Sequence, residues 1–366
     1  MFKLGICTNF SIPHIGGTEY VLHNISKKLV KNYDYEVNVF SFSNKKELKI
    51  DNINIIPCKK GSYFINQINQ MDHIMVYSDS FWQWENIVNN INIIKPKISI
   101  ALVGMYHMRH NKIIFNKFIE NINKFNVITH SNNYQDYYNC EKNNIPVSVI
   151  PNGIDLNEFD KYNNINFREK YNIKEKYIIL NISNYFYGKG IDIIGDIAIQ
   201  LKKYRSDFII VQISNNIQYP HEKAFRDRAM RKCRNSNVLF LRDLPRENII
   251  AAYKSSDIFL MTSLKEVAPL VILESMAAKL SWISMDIGNI KELCGGRIIN
   301  NSNIDQKEYK IIDKNTINSY ITYINEFLNN EKLKTIYGKN GRKLVEKKYN
   351  WDKIVLLYNE VFKCIN

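Results

Sequence analysis

From the first residue, short runs of Ile, Val, Leu and Phe alternate with longer segments in which apolar residues recur every three or four positions. The short runs fit strands buried on both faces, and the longer segments fit helices laid against them. Repeated in alternation, they predict βαβ units around a parallel sheet. The first series predicts strands at Phe2–Thr8, Tyr35–Phe42, Ile53–Pro57, Asp72–Tyr77, Ile98–Val103, Asn126–Thr129 and Val147–Ile150. Between the first two, Tyr20, Val21, Ile25 and Leu29 share one face of a helix over Thr18–Val30.

The segment Pro151–Phe159, PNGIDLNEF, breaks this series with Pro and Gly, and the polar stretch that follows to Glu175 has no strong period. A domain boundary is expected here. A second series then predicts strands at Tyr177–Ile182, Asp207–Ile213, Asn237–Leu241, Asp257–Thr262 and Ser281–Met285. Helices are expected from Gly190, over His221–Arg234, from Arg246 and over Pro269–Ala278, and the tail from Asn315 reads as helical. At 366 residues the chain exceeds one ordinary core. The expected division is residues 1–155, a hinge at 156–169, and a second Rossmann-like domain at 170–350.

Composition changes this picture little. The chain is 45% hydrophobic and 23% charged, as a globular protein is, and no run of 18 apolar residues exists to cross a membrane. The start, MFKLGICTNF, turns polar too early for a signal peptide, and the six cysteines lack any CxxC or Cys/His spacing. A reduced cytoplasmic protein is expected, with membrane contact only peripheral. The formal charge of +14 favours anionic partners, and the excess is spread over both halves. The basic segment AFRDRAMRKCRN distributes its charges around most of a helix, and no nucleic-acid-binding motif accompanies it, so no nucleic-acid partner is expected.

The segment Thr262–Ala278, TSLKEVAPLVILESMAA, carries the most chemistry. A strand ends, a loop holds Glu266, and Pro269 opens a helix, where its missing N–H has no intrahelical partner. The N–H groups of Leu270, Val271 and Ile272 then face outward at the positive end of the macrodipole, an anion site built without metal. Glu274, about a turn further on, is within reach of a ribose whose pyrophosphate occupies that end, and Glu266 would meet a sugar. The same spacing also fits an ordinary strand, loop and helix with one solvated and one capping Glu. Gly16 and Gly17 follow the first strand, where a missing Cβ lets backbone approach a ligand or simply serves a tight turn.

The two glutamates seven residues apart, followed by SMAA and then Asp286-Ile287-Gly288-Asn289, resemble the EX7E region of family 4 glycosyltransferases. Four blocks agree in order: IPHIGGTEYV at Ile12–Val21, VIPNGID at Val149–Asp155, GKGIDII at Gly188–Ile194 and YNWDKIVLLY at Tyr349–Tyr358. The resemblance implies an α/β protein of the GT-B fold, two doubly wound Rossmann-like domains facing across a cleft, with the C-terminal helix 351–366 crossing back to the first. It implies a retaining glycosyltransferase, a hexosyltransferase that moves a sugar from a UDP- or GDP-sugar to an acceptor hydroxyl, in glycan or glycolipid synthesis. No cofactor or metal ion is expected.

By the same resemblance, Lys189 pairs with the leaving diphosphate, Glu266 serves the sugar, and His107, rather than the neighbouring His110, touches it from the first domain. Donor binding falls to Gly16, Gly17, Asn184, Lys189, Arg242, Pro269, Leu270, Val271 and Glu274. Asn184 stands where the family usually has Arg, so it offers a hydrogen bond without charge, and Arg242 is the candidate substitute. Two alternatives stay open: a nucleotide-sugar epimerase on the same fold, and a protein that binds nucleotide sugars without catalysis.

Overall fold

The computed structural model describes residues 1–9, 16–58, 61–77, 81–104, 112–161, 164–215, 220–300 and 312–363. By its internal contacts the chain forms two units, Met1–Gly153 together with Trp351–Asn366, and Ile154–Asn350.

In the first unit the apolar runs become β1 (Phe2–Thr8), β2 (Tyr35–Ser41), β3 (Leu48–Ile50), β4 (Ile53–Pro57), β5 (His73–Tyr77), β6 (Lys97–Leu102), β7 (Phe125–Thr129) and β8 (Val147–Val149). They form one sheet in the order β3-β4-β2-β1-β5-β6-β7-β8. Every described pairing is parallel except β3 with β4. The short edge strand β3 escapes the sequence pattern because its three residues, LKI, are mostly exposed and too few to show a period. Central strands are buried on both faces, with Leu4, Ile6, Ile74, Val76 and Ile100 fully covered, which is why they read as continuous apolar runs.

The last helix, Trp351–Lys363, completes this unit. Its buried residues Trp351, Ile354, Val355, Tyr358 and Phe362 follow the 3, 4, 7 spacing of a single apolar face. It packs on the first helix, Gly17–Asn32, where Lys28 Nζ meets Asp352 Oδ1 at 2.5 Å, and the Tyr35 hydroxyl donates to Asn359 Oδ1 at 3.0 Å. The Trp351 ring lies so close to Gly153 that a Cβ there would stand 2.5 Å from it, so only glycine admits this approach.

The second unit contains β9 (Tyr177–Ile182), β10 (Phe208–Ser214), β11 (Val238–Arg242), β12 (Ile258–Met261), β13 (Trp282–Met285) and β14 (Gly296–Ile299). They pair in parallel in the order β11-β10-β9-β12-β13-β14. The order reverses between β9 and β12, the switch point beyond whose carboxyl ends a doubly wound sheet binds its ligand.

Residues 156–169, expected as a hinge, lie inside this unit. They form helices at Leu156–Lys161 and Phe167–Lys170, and the rings of Phe159 and Phe167 sit in the core. Two helices this short give no readable period, and their anchoring aromatics are isolated in polar sequence. The basic helix runs over Pro220–Lys232, with Arg228 and Lys232 paired to Asp192 and Asp196 of the helix beside it and Arg226 to Asp227. Among the described residues no helix is long and apolar enough to cross a membrane.

Two buried imidazoles give the first unit a pH response. His73 Nε2 lies 2.8 Å from Ser99 Oγ, and burial, helped by nearby Lys97, pushes its pKa down to about 4. His130 is shifted in the same direction by burial, between the Tyr77 hydroxyl and the Ile150 carbonyl. The unfolded chain binds protons below about pH 6.5 that these sites refuse, so stability falls as pH falls through that window. His73 alone should remove about 3 kcal/mol between pH 7 and 4. Denaturant midpoints across this range should fall less steeply in His73→Gln than in the native chain. Equal slopes would refute the assignment.

Candidate functional site

At the β9/β12 switch point two loops are stitched together through their backbones. The Leu264 N–H donates to the Gly188 carbonyl at 2.7 Å, and Thr262 Oγ1 donates to the Lys189 carbonyl at 3.1 Å. Gly190 turns the first loop into the next helix, Ile191–Leu201, with φ +60. A Cβ on it would stand 2.1 Å from the Thr262 carbonyl oxygen, so both its dihedral and its surroundings require glycine. This stitching brings together Lys189 and Glu266, 77 positions apart, with Nζ and Oε1 separated by 2.7 Å. The lysine side chain is 30% exposed and the glutamate 13%, so the pair lies at the surface of the unit but largely out of water.

The loop that carries Glu266 is braced from the other side. Asn289 N–H donates to the Val267 carbonyl at 2.9 Å, and Gly288 lies against the Glu266 and Val267 backbone. Pro269 then caps the helix Leu270–Ala277. The Ile272 N–H turns back onto the Pro269 carbonyl at 3.3 Å, which removes it from the three outward donors read from sequence. The N–H groups of Leu270 and Val271 remain at the helix end, with no backbone acceptor among the described residues. The loop whose Glu266 holds Lys189 thus runs directly into a helix end with two open amides, a setting that favours phosphate oxygens.

Glu274 lies inside that helix and is buried. Its Oε1 accepts from the Arg246 guanidinium at 2.5 Å and its Oε2 from the Tyr253 hydroxyl at 2.9 Å. Arg246 also grips Glu158 Oε2 through Nε and Nη2, at 3.1 and 2.8 Å. Burial, and then the Glu274 carboxylate, hold the Tyr253 hydroxyl well above its usual pKa, so it donates throughout the working range. Arg246, Tyr253 and Glu158 belong to no motif and were not found from sequence.

Other expected residues stand further out. Asn184 follows β9 with an exposed side chain, its carbonyl taken by the Phe186 N–H at 2.8 Å. Arg242 ends β11 and pairs with Asp243 at 3.2 Å, both well exposed. Its charge reaches Tyr185, the neighbour of Asn184, whose hydroxyl burial pushes up to about 12. Among the described residues no hydrogen bond or ion pair joins Arg242 to Lys189 or Glu266. In the first unit, Gly16 and Gly17 begin the first helix after β1, and the space beside Gly16 is filled by the carboxylate of Glu19, itself buried. Sequence reading passed over Glu19 because an acid in a first helical turn is ordinary. His107 and His110 lie outside the described residues.

Residues 163–344 match the model of the family described as glycosyl transferases group 1. An uncharacterized glycosyltransferase of Methanocaldococcus jannaschii is 23% identical over 367 residues, covering 96% of this chain and 95% of its own. A second from the same organism is 24% identical over 71% of this chain, which spans only 65% of that relative's length. Among solved structures, sucrose-phosphate synthase from Thermosynechococcus elongatus superposes with a TM-score of 0.80 at 13% identity, over 99% of this chain and 98% of its own. Anabaena HepE in complex with UDP-glucose gives 0.77 at 15% identity over the whole of both chains. The chain thus has the GT-B fold, and its residues 163–344 match the model of glycosyl transferases group 1.

Proposed function

We propose that the protein is a retaining glycosyltransferase that moves a hexose from a nucleoside diphosphate to an acceptor hydroxyl without a metal ion. The observation that carries this reading is the Lys189–Glu266 pair beside the amide end of the helix Leu270–Ala277, with Glu274 buried one turn inside. The diphosphate is assigned to Lys189 and the Leu270 and Val271 amides, the ribose to Glu274, and the sugar to Glu266. The HepE complexes, with UDP and with UDP-glucose, make a uridine donor the first to try.

In the reaction, the bond from the anomeric carbon to the diphosphate oxygen breaks with its electron pair going to the phosphate. Positive charge already in place at Lys189 and the helix end stabilises that developing anion. The sugar gains oxocarbenium character beside Glu266, the acceptor oxygen bonds to the anomeric carbon on the same face, and its proton passes to the departing phosphate. The acceptor is assigned to the glycan or glycolipid class, and a basic protein of this charge suits an anionic lipid surface in peripheral contact.

A thermal-shift screen of UDP-, GDP- and ADP-glucose in excess chelator tests the reading. A donor at a hundred times its dissociation constant should stabilise the protein by about 2.7 kcal/mol, a shift of a few degrees. No shift with any of the three would overturn the donor site, and a shift or turnover that required added divalent metal would overturn the metal-free part. The exposed, uncharged Asn184 favours one second reading, binding without transfer, whose mark is donor affinity with neither hydrolysis nor product.

A further inference from the structure

Glu274 is set apart from Glu266 by what holds it. Glu266 has one lysine, on a flexible stem, whereas each oxygen of Glu274 is taken by a different donor from the helix Arg246–Ser255. The Arg246 guanidinium is itself fixed from two further directions. It is bound through two nitrogens to Glu158 of the helix Leu156–Lys161, and it lies over the Phe159 ring at 5.7 Å. Tyr253 is fully buried, packs edge-on against Phe159, and its hydroxyl reaches the Val271 carbonyl as well, at 3.2 Å. Three helices are thus linked through Arg246, and a planar guanidinium shared by two acids leaves the Glu274 carboxylate little choice of rotamer.

We propose that Arg246 and Tyr253 are positioning residues for Glu274, orienting its free lone pairs toward the hydroxyls of the donor ribose, with Glu158 anchoring Arg246. This rests on the assignment of Glu274 to the ribose. A carboxylate oxygen accepts about two hydrogen bonds, so each oxygen keeps capacity for one ligand hydroxyl after its protein donor is counted. Arg246 and Tyr253 need not touch the ligand. Their effect runs through the direction in which the remaining lone pairs point, and it should be felt by the two ribose hydroxyls and by no other part of the nucleotide.

The test compares dissociation constants for UDP and 2′,3′-dideoxy-UDP by calorimetry, or for the guanosine pair where GDP binds more tightly. In the native protein, loss of both hydroxyls should weaken binding by about tenfold or more. In Arg246→Gln that ratio should fall to about twofold, while the dideoxy compound, which has no ribose hydroxyls for Glu274 to accept from, binds within about threefold of native. Glu158→Gln should give an intermediate ratio. Should Arg246→Gln fail to fold, Tyr253→Phe gives the same readout with no charge removed, and its ratio should also drop.

A residue that merely supports the fold would weaken both ligands equally and leave the ratio intact, which overturns the proposal. Glu274→Ala separates the two levels of the argument. If it lowers the ratio and the Arg246 and Tyr253 variants do not, only the positioning role is refuted. If Glu274→Ala itself leaves the ratio at its native value, the ribose assignment falls and the positioning role with it.

Discussion

Lys189→Ala should slow sugar transfer by about a hundredfold while changing donor affinity much less. The expected loss, about 3 kcal/mol in the transition state, is typical of removing one preorganised stabiliser of developing negative charge. It should fall on the rate because charge on the diphosphate grows only as the glycosidic bond breaks. The substitution should leave the loop backbone in place. The loop backbone is held by the Gly188 and Lys189 carbonyls and by the left-handed Gly190, none of which depends on the lysine side chain. Glu266 is left without its 2.7 Å partner, however, so part of the effect could pass through the glutamate. A cycle with Lys189→Ala, Glu266→Gln and the double variant separates the two. Turnover by Lys189→Ala within threefold of native would remove the lysine from the mechanism.

Glu274→Ala should raise the dissociation constant for the nucleoside diphosphate by about ten to a hundredfold, the range for hydrogen bonds to a charged acceptor. It should also lower stability by about 1–3 kcal/mol, because a buried tyrosine hydroxyl and one face of Arg246 lose their acceptor. Arg246 keeps Glu158, so the guanidinium is not stranded. Glu274→Gln should recover much of the stability and less of the affinity, since an amide preserves shape but halves the acceptors. Calorimetry with UDP or GDP beside a melting curve reads both quantities. Native affinity in a folded Glu274→Ala variant would dismiss the ribose contact.

How far the site could be read from sequence depended on whether its parts were local. Pro269, the open helix end and Glu274 lie within six positions, and their relation follows from helical geometry alone. Lys189 was found through the family pattern, since no spacing relates it to a glutamate 77 positions away. Arg246, Tyr253 and Glu158 were missed because they carry no motif and reach Glu274 or one another across separations of 28, 21 and 88 residues. The ion pairs of the basic helix were not legible either, because the acids that pair with it, Asp192 and Asp196, lie on a different helix.

By itself the sequence determined the alternation of strands and helices, because a strand covered on both faces must be apolar throughout and a helix covered on one must repeat near every 3.6 residues. It determined too that Trp351–Lys363 has one face to bury. Which surfaces meet was left to the tertiary structure: the adjacency of β9 and β12 that joins Lys189 to Glu266, the return of the last helix onto the first, the inclusion of 156–169 in the second unit, and the grip on Glu274. Periodicity reports how a segment faces its surroundings and carries no record of which distant segment those surroundings are. Such pairings are decided only when whole elements compete to bury the same faces.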